Sequence, residues 1–591
     1  MPRTRAQEPT RPSRTTAPNP PTRRNLRIES ERVDELPVIM KFAEQMGIPH
    51  AIDSALPQAH GNRSGLSYGQ LAWGLIGAIA TRRDHRLQPM ERWSIEHRPT
   101  LETSLGLRVE DKDFTDDRLA DLLDVLGDAE GQTRSAIEER IGQGIVTAYR
   151  LPTEVGRFDT TNVSVYHRPD DEKGLLAFSG NSKAHRLDLQ QFVEALGTLD
   201  PAGIPLTTAT LPGNQADDPL YWPMWQRMTH IIGHTDWLYV GDSKLHAAET
   251  LARIHRAGGW FLTPIPMKGN VPEEFDQWLK HKPKKLTAIR LPDEKGKPRI
   301  VGYAFEVERT IEWEDSETGE TVQVPERVLV AQRLSFRDKQ IHDLDRRLAR
   351  AQSALEALNG CKEEDLAALE ARVQAIVDRY SVAECLNVEV GLETRQAEKW
   401  IGRGRPGPNS LKRVIESRHA RISVQRQELA IEAFREQAGW RAYGTNRSKE
   451  SMTLQQAVEK YAGQFQVERG FQRMKGTLQV APVFLRTDQR IRGLMLILSL
   501  ALRLLTLLEF VARRALAEAK QTVTGLYGAP QKTTARPTAE RLLKAFEGVT
   551  LHTVHVGKRS HRQLSELSSL QELILKCLGL PIGIYTCLAT P

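Results

Sequence analysis

Cysteine is nearly missing from this chain: four residues in 591 (Cys361, Cys385, Cys577, Cys587), none in a C-x-x-C pair. That excludes a disulfide-stapled miniprotein, argues against a structural zinc site, and fits a reducing compartment. Long apolar runs are missing too. The most apolar stretch, LMLILSLALRLLTLLEFV, is uninterrupted only from Gly493 to Leu502, between Arg492 and Arg503. Spanning a bilayer takes about 20 apolar residues, so this reads as a buried core helix and not a membrane anchor. The first 28 residues lack the apolar segment of a secretory signal. No repeat with a period of tens of residues is visible. Nor is there a strong excess of one charge: 82 Lys+Arg against 75 Asp+Glu leave a net +7. Basic character is therefore expected in local patches, which suits a large protein that handles nucleic acid but does not by itself establish one.

What is present is ordinary globular material, 40% hydrophobic and 27% charged, which excludes a collagen-like fibre or a wholly disordered chain. The length suggests roughly three to five structural units. Residues 1–28, with seven arginines against Glu8, read as a disordered basic arm, either touching DNA phosphates or simply solvated. Residues 29–150 carry apolar residues at helical spacing, as in YGQLAWGLIGAIATRRD and DDRLADLLDVL. They read as a helical N-terminal domain, for DNA contact or for packing alone. From 151 to 269, β-branched and aromatic runs (VGRFDTTNVSVY, DWLYVGD, GWFLTPI) come first alone and then alternating with helical stretches. This pattern predicts an α/β fold, a mixed sheet flanked by helices.

Residues 270–440 read as an inserted subdomain. Polar strands come first. Then Ile341, Leu344, Leu348, Ala351, Leu355 and Leu358 form one heptad seam, and Leu366, Leu369, Val373, Ile376 and Tyr380 a second. Two short seams separated by Asn359-Gly360 predict an antiparallel helical hairpin. Sheet-type sequence resumes at GWRAYGTN, so residues 441–519 read as the second part of the core, with one long helix from Thr453 to about Lys475. Residues 520–591 read as a helical tail.

Three acids stand out. Asp159 lies inside a predicted strand, where acids are depleted. Asp242 follows the apolar run WLYV, at the carboxyl end of a strand, where open α/β sheets place their sites; its plain alternative is a helix N-cap. Glu468 lies on the long helix with Tyr461, Gln464 and Lys475, on one stripe spanning roughly 60° at ~100° per residue. The plain alternative there is a solvated helix face. His230, His234, His246 and His255 show no metal spacing and read as surface residues.

The ordered set FDTTNVSVY, GNSKAHRLDLQQFV, LPGNQADD, YVGDSKL and YAGQFQVERGFQRMKG resembles bacterial insertion-sequence transposases of the Asp-Asp-Glu type, which have an RNase H-like core. The last piece is similar to the Tyr-(2)-Arg-(3)-Glu-(6)-Lys signature of one large class: Tyr461, Glu468 and Lys475 match, and Gln464 replaces the Arg. Members of that class carry an insertion between the second and third acids, as the 226 residues from Asp242 to Glu468 allow.

The resemblance implies a catalytic triad of Asp159, Asp242 and Glu468 holding two Mg²⁺ ions, with Mn²⁺ as a substitute. Hard cations of this kind prefer oxygen ligands. Asp159 would bridge both ions, Asp242 would bind one and Glu468 the other. Lys475 would contact a phosphate, and Tyr461 would pack or hydrogen-bond along the backbone. Gln464 would keep hydrogen bonding without the ion pair of an Arg. Lys183, His185 and Arg186 would contact the DNA backbone or pair locally. Trp313 would stack on an unpaired base or serve as an ordinary sheet aromatic.

The implied partners are double-stranded DNA, both inverted-repeat ends and target, and a second copy of the chain in a homodimer, in the bacterial cytoplasm with no membrane. Two alternatives stay open: a nuclease of the same fold without strand transfer, and a catalytically silent DNA-binding derivative.

Overall fold

In the computed structural model the described residues are 26–56, 65–128, 131–166, 174–178, 186, 188–293, 297–401, 411–528, 531–557 and 559–589. Strand β1 (Leu26–Arg32) leads into seven helices: α1 (Leu36–Gln45), α2 (Ile48–Ala55), α3 (Tyr68–Arg82), α4 (Met90–Glu96), α5 (Arg98–Leu105), α6 (Asp116–Leu126) and α7 (Gln132–Ala148). Next come β2 (Val155–Ser164), β3 (Gln191–Leu199), β4 (Ile204–Pro212), α8 (Tyr221–Ile232), β5 (Leu238–Val240), α9 (Ala248–Arg256), β6 (Trp260–Pro264) and α10 (Val271–Lys280). The middle of the chain holds β7 (Thr287–Pro292), β8 (Pro298–Glu314), β9 (Thr321–Arg333), α11 (Leu334–Glu356), α12 (Leu366–Tyr380), β10 (Leu386–Trp400), β11 (Lys412–Arg426), α13 (Glu428–Gln437) and β12 (Trp440–Thr445). The last part comprises α14 (Leu454–Ala462), α15 (Phe465–Gly476), α16 (Asp488–Glu518), the two-residue strands β13 (Val523–Thr524) and β14 (Thr533–Thr534), α17 (Ala539–Lys544), β15 (Thr550–Val556), β16 (Arg559–Leu564), α18 (Ser569–Cys577) and α19 (Gly583–Thr586).

Nine strands form one mixed sheet in the order β4-β3-β2-β5-β6-β12-β9-β8-β7. β4, β3 and β2 are antiparallel, β5 and β6 run parallel to β2, and every strand from β12 onward pairs antiparallel. The five-strand half, with helices crossing between β4, β5 and β6, is the expected flanked mixed sheet. β2 and β3 are buried at nearly every position because both of their faces are covered.

The expected insertion is divided differently. β7, β8 and β9 are not part of a separate subdomain; they extend the main sheet through β12. The polar look of β7 and β8 comes from lying toward the edge, where many of their residues meet water, whereas β9, one strand further in, is buried from Glu326 to Ala331. The separate unit is α11, α12, β10, β11 and α13. Its own core contains Leu344, Leu348, Ala351 and Leu355 of the first seam and Leu369 and Val373 of the second, with Val377 in place of the expected Ile376 and Tyr380, which are only partly buried, and of Leu366, which is exposed; Leu386, Ala420 and Ile422 close it. The helical hairpin is there, but it covers a two-stranded ribbon, β10–β11, that sequence patterning does not announce. The chain leaves and re-enters the sheet at one place, where the Arg333 amide donates to the Gly439 carbonyl at 3.0 Å.

Two further boundaries are corrected. Residues 26–28 belong to β1, while residues 1–25 of the expected basic arm lie outside the described residues. The expected helical tail contains the hairpin β15–β16, and β1 pairs with β15 along its whole length, from Leu26↔Val556 to Arg32↔Thr550. The N-terminal helices are not a separate domain either, for they share one hydrophobic core with the sheet and α16.

α16 organises that core. It is apolar on all sides, starts at a Thr487 hydroxyl that accepts from the Arg490 amide, and is buried almost continuously from Ile491 to Ala512. It is long and apolar enough to cross a membrane, but its most apolar window is wholly buried inside this fold. It crosses α6 closely at Gly493, where a Cβ would stand 2.1 Å from the Leu123 carbonyl oxygen. Its one central cation, Arg503, is fully buried and donates to the Leu206 carbonyl at 2.7 Å, which ties the helix to β4.

Candidate active site

β2 and β5 are parallel neighbours, and their last paired positions are Arg157 and Val240. Asp159 and Asp242 each stand two residues beyond that rung, Asp159 still within β2 and opposite Leu196 of β3, Asp242 just past the end of β5. Both are half-buried. Asp242 opens the loop that precedes α9; the N-cap of α9 is Ala247, so Asp242 is not the capping residue.

The Asp242 loop is held from several directions. Tyr221 Oη donates to Asp242 Oδ1 at 2.5 Å, the Lys244 amide donates to the same oxygen at 2.9 Å, and Thr263 Oγ1 donates to the Asp242 carbonyl at 2.6 Å. Lys244 Nζ forms an ion pair with Asp217 Oδ2 at 2.7 Å, and Asp217 Oδ1 accepts from Thr160 Oγ1 at 2.9 Å. The Thr160 amide donates to Asp159 Oδ1 at 2.8 Å. Asp217 thus links the two strands that carry the acids. Burial, then the charge of Asp242, raises the Tyr221 hydroxyl well above its ordinary range, with Asp159 adding to the effect. Tyr221 therefore stays protonated and keeps donating. Partial burial works against the Lys244 charge, but the bond to Asp217 and the nearby Asp242 outweigh it and raise its pKa.

The expected long helix is two helices, α14 and α15, with a break at Gly463. Arg157 is the reason. Its side chain is almost fully buried and donates to both Asp200 oxygens at 2.7 Å and to the Lys460 carbonyl at 2.6 Å. A Cβ at position 463 would stand 2.5 Å from its Nη2. Tyr461 therefore lies in the last turn of α14, and Gln464 is the N-cap of α15.

Along β2, Arg157, Asp159 and Thr161 alternate onto one face. Gln464 Oε1 accepts from Arg157 Nη1 at 3.4 Å, and Lys475 Nζ donates to Thr161 Oγ1 at 2.7 Å. Gln464 and Lys475 thus anchor one face of α15 over that strand face. Glu468, one turn beyond Gln464 on the same face, falls between the two anchors, opposite the segment that carries Asp159. Glu468 is exposed.

The opposite face of α15 is clamped. Arg473 donates to Glu509 of α16 at 2.6 Å and to Glu540 of α17 at 2.7 Å, and Arg469 pairs with Glu509 at 2.8 Å. Burial works against the Glu540 charge, yet the hydrogen bonds from Arg473 hold its carboxyl down at about 2.

Among the described residues, no group of three or more His, Cys, Asp and Glu side chains comes together as a metal cage. The expected triad is therefore not a closed cluster. It is one acid within β2 and one just past the end of the adjacent β5, with a third acid on the face of α15 turned toward β2. The carboxylate pair is a donor set that fits a hard divalent ion.

The other sequence-predicted residues divide as follows. Lys183 and His185 lie outside the described residues. Arg186 is exposed, pairs with Asp188 at 2.7 Å and lies 5.9 Å over the Tyr166 ring. Tyr461 is half-buried and packs on Tyr443, with ring centroids 4.6 Å apart; burial, then Tyr443, raises its hydroxyl above the ordinary range, and Asp242 adds to this. Trp313 is half-buried, opposite Val322 in the β8–β9 register, and packs on the main core with Ile311 and Val322. His246 corrects the surface reading: it is largely buried, and its Nε2 lies 2.7 Å from Glu326 Oε1.

Sequence reasoning does not find Asp217, Tyr221, Lys244 or Arg157. Asp217 stands in the LPGNQADD piece, but nothing local in sequence points from it to Thr160 or Lys244.

Residues 28–134, which cover most of β1 through the start of α7, match the family described as Domain of unknown function (DUF4277). No curated protein matches the chain.

Proposed function

We propose that this chain is a DNA transposase of the Asp-Asp-Glu type that cleaves the inverted-repeat ends of an insertion sequence and joins them to target DNA. The single observation that carries the reading is that Asp159 and Asp242 each stand two residues beyond the last rung shared by the adjacent parallel strands β2 and β5. The ordered sequence pieces support it, as does the match to the DUF4277 domain, which is found in some transposases. The chain would act on double-stranded DNA as a homodimer in the bacterial cytoplasm.

Two divalent ions, when bound, supply Lewis-acid activation of the attacking oxygen and stabilisation of the leaving one. Asp159 and Asp242 would hold them, with Glu468 completing the set from α15. Asp242 is oriented for this by Tyr221 and the Lys244 amide, which occupy one of its oxygens. Asp217 neutralises Lys244, so the loop keeps its shape without drawing the ammonium onto the catalytic acids. Lys475, exposed beside Thr161, would take a phosphate near the cleavage point as a point charge. Gln464 is turned to Arg157 of the same chain, so a phosphate contact at this position is not part of the proposal.

The test uses a labelled DNA end from the flanks of the coding region with Mg²⁺ or Mn²⁺. Asp159→Asn and Asp242→Asn should each lower cleavage roughly 10³-fold and weaken Mn²⁺ binding measured by calorimetry, with the fold retained. Unchanged metal-dependent cleavage by either variant would overturn the assignment. Supplying pre-cleaved ends and a target plasmid separates joining from cutting: cleavage without joining would leave a nuclease.

A further inference from the structure

The ribbon β10–β11 runs past the core that its own helices build. From Thr394 to Trp400 and from Lys412 to Arg418, every residue except Ser417 is exposed or nearly so. The projecting part is about 20 Å long at the usual rise per residue. A two-stranded ribbon with both faces in water is marginal by itself, and this one also exposes Trp400 and Val414 near its end. It is built to be covered.

Its charge says by what. Residues 394–401 and 411–418 carry five bases against two acids, Glu398 and Glu416, whereas the entire chain has a net charge of only +7. The arrangement is more telling than the count. Lys399 stands directly opposite Arg413 in the antiparallel register, so the two cations share one face. Like charges placed opposite each other destabilise a strand pair. Neither has an acid partner among the described residues, while neighbouring Lys412 is paired with Glu398 at 2.7 Å. Arg395 lies on the same face as Lys399, four residues back along the strand, but is itself paired with Glu393. A protein surface would have to desolvate this unpaired couple, whereas a row of phosphates removes its repulsion.

We propose that this ribbon is a DNA-binding arm, with Lys399 and Arg413 gripping the phosphate backbone of a duplex. This deepens the transposase reading, on which it rests, by naming a surface away from the Asp159 site where the same DNA would lie. Contacts of this kind position a duplex without reading its sequence.

The experiment compares the full chain with Lys399→Ala/Arg413→Ala and with the exchange Lys399→Arg/Arg413→Lys. Binding to a fluorescent duplex of arbitrary sequence is followed by anisotropy across a KCl series, without divalent metal. The double alanine variant should bind about tenfold more weakly near physiological salt. Its plot of log affinity against log salt should be shallower by about 1.8, because each of the two phosphates that stays unneutralised takes about 0.9 from the slope. The charge-conserving exchange should restore the wild-type slope. An unchanged slope and affinity would overturn the proposal. So would a loss of self-association in sedimentation with the slope unchanged, which would make the ribbon a clasp on a second copy. Wild type that binds with the predicted salt dependence but never cleaves its ends would sink the transposase reading and leave the arm. Cleavage lost in Asp159→Asn, with the arm variant's slope unchanged, would do the reverse.

Discussion

Helices α16 and α11 are both long, and both bury leucines, but they bury them differently. α16 is enclosed on every side by the N-terminal helices, the sheet and the C-terminal helices, and it even takes Arg503 and Glu509 inside with their partners. α11 buries only the narrow seam Leu344, Leu348, Ala351 and Leu355. The first fixes geometry: through Arg473 and Glu509 it sets the height and rotation of α15, and so the place of Glu468. The second merely holds a ribbon away from the body. Burial is deepest around the helix that holds α15 against the sheet, and least along the outer half of the ribbon.

Four further measurements would break or sharpen this contrast. The largest effect is expected from Arg473→Ala, which takes the Arg473 cation from Glu540 and leaves Glu509 only with Arg469 and Arg513. Losing one partner of a buried pair costs about 3–5 kcal/mol, so the main thermal transition should fall steeply and end cleavage should fall with it. A normal transition would show that α15 is not clamped from this side.

Leu348→Ala empties a fully buried seam position and should cost about 2–5 kcal/mol, but only within residues 334–437. Calorimetry should show an early, separate transition with the main one in place; a single lowered transition would mean that the two cores are one. In the same sense, replacing residues 334–438 by a short loop should leave a folded chain, because Arg333 and Gly439 are already hydrogen-bonded. Removing only 338–380 should cause aggregation, since it strips the helices from the apolar side of the ribbon.

The third measurement is of pH. The Glu540 carboxyl is held at about 2, below its unfolded value of 4.5. The folded state therefore binds fewer protons than the unfolded one between those values. The contribution of Glu540 is fully present above about 4.5 and is lost as pH falls toward 2. On the order of 2–3 kcal/mol should disappear over that window. Glu540→Gln should be less stable than wild type at neutral pH, and the gap should close in acid.

The smallest effect is expected at Lys475→Ala: end cleavage about tenfold slower, equivalent to ~1.4 kcal/mol, with Mn²⁺ affinity unchanged. Equal loss of metal affinity would move Lys475 from phosphate contact to scaffold.

The sheet half was legible in sequence because each of its signals is local. An acid inside FDTTNVSVY, a strand ending in YVGD and an apolar run too long to be exposed each declare themselves within ten or twenty residues. β7–β9 were misplaced because their membership of the sheet depends on β12, which lies about a hundred residues further along the chain from β9. The ribbon was missed for the opposite reason: with both faces in water, its outer half has no apolar alternation to read. The break at Gly463 is invisible without Arg157, and Asp217 acquires a role only when Thr160 and Lys244 are brought to it.

The pairing of β1 with β15 bears on how the protein is made. Among the described residues β1 has no other neighbour in its sheet, and Tyr585 Oη donates to the Asp34 carbonyl at 2.6 Å. β1 therefore stays without this partner until β15, about 500 residues later in the chain, has been synthesised. A chain stopped before β15 would keep both acid-bearing strands and still lack the strand that pairs with β1, so this part of the fold forms late in synthesis.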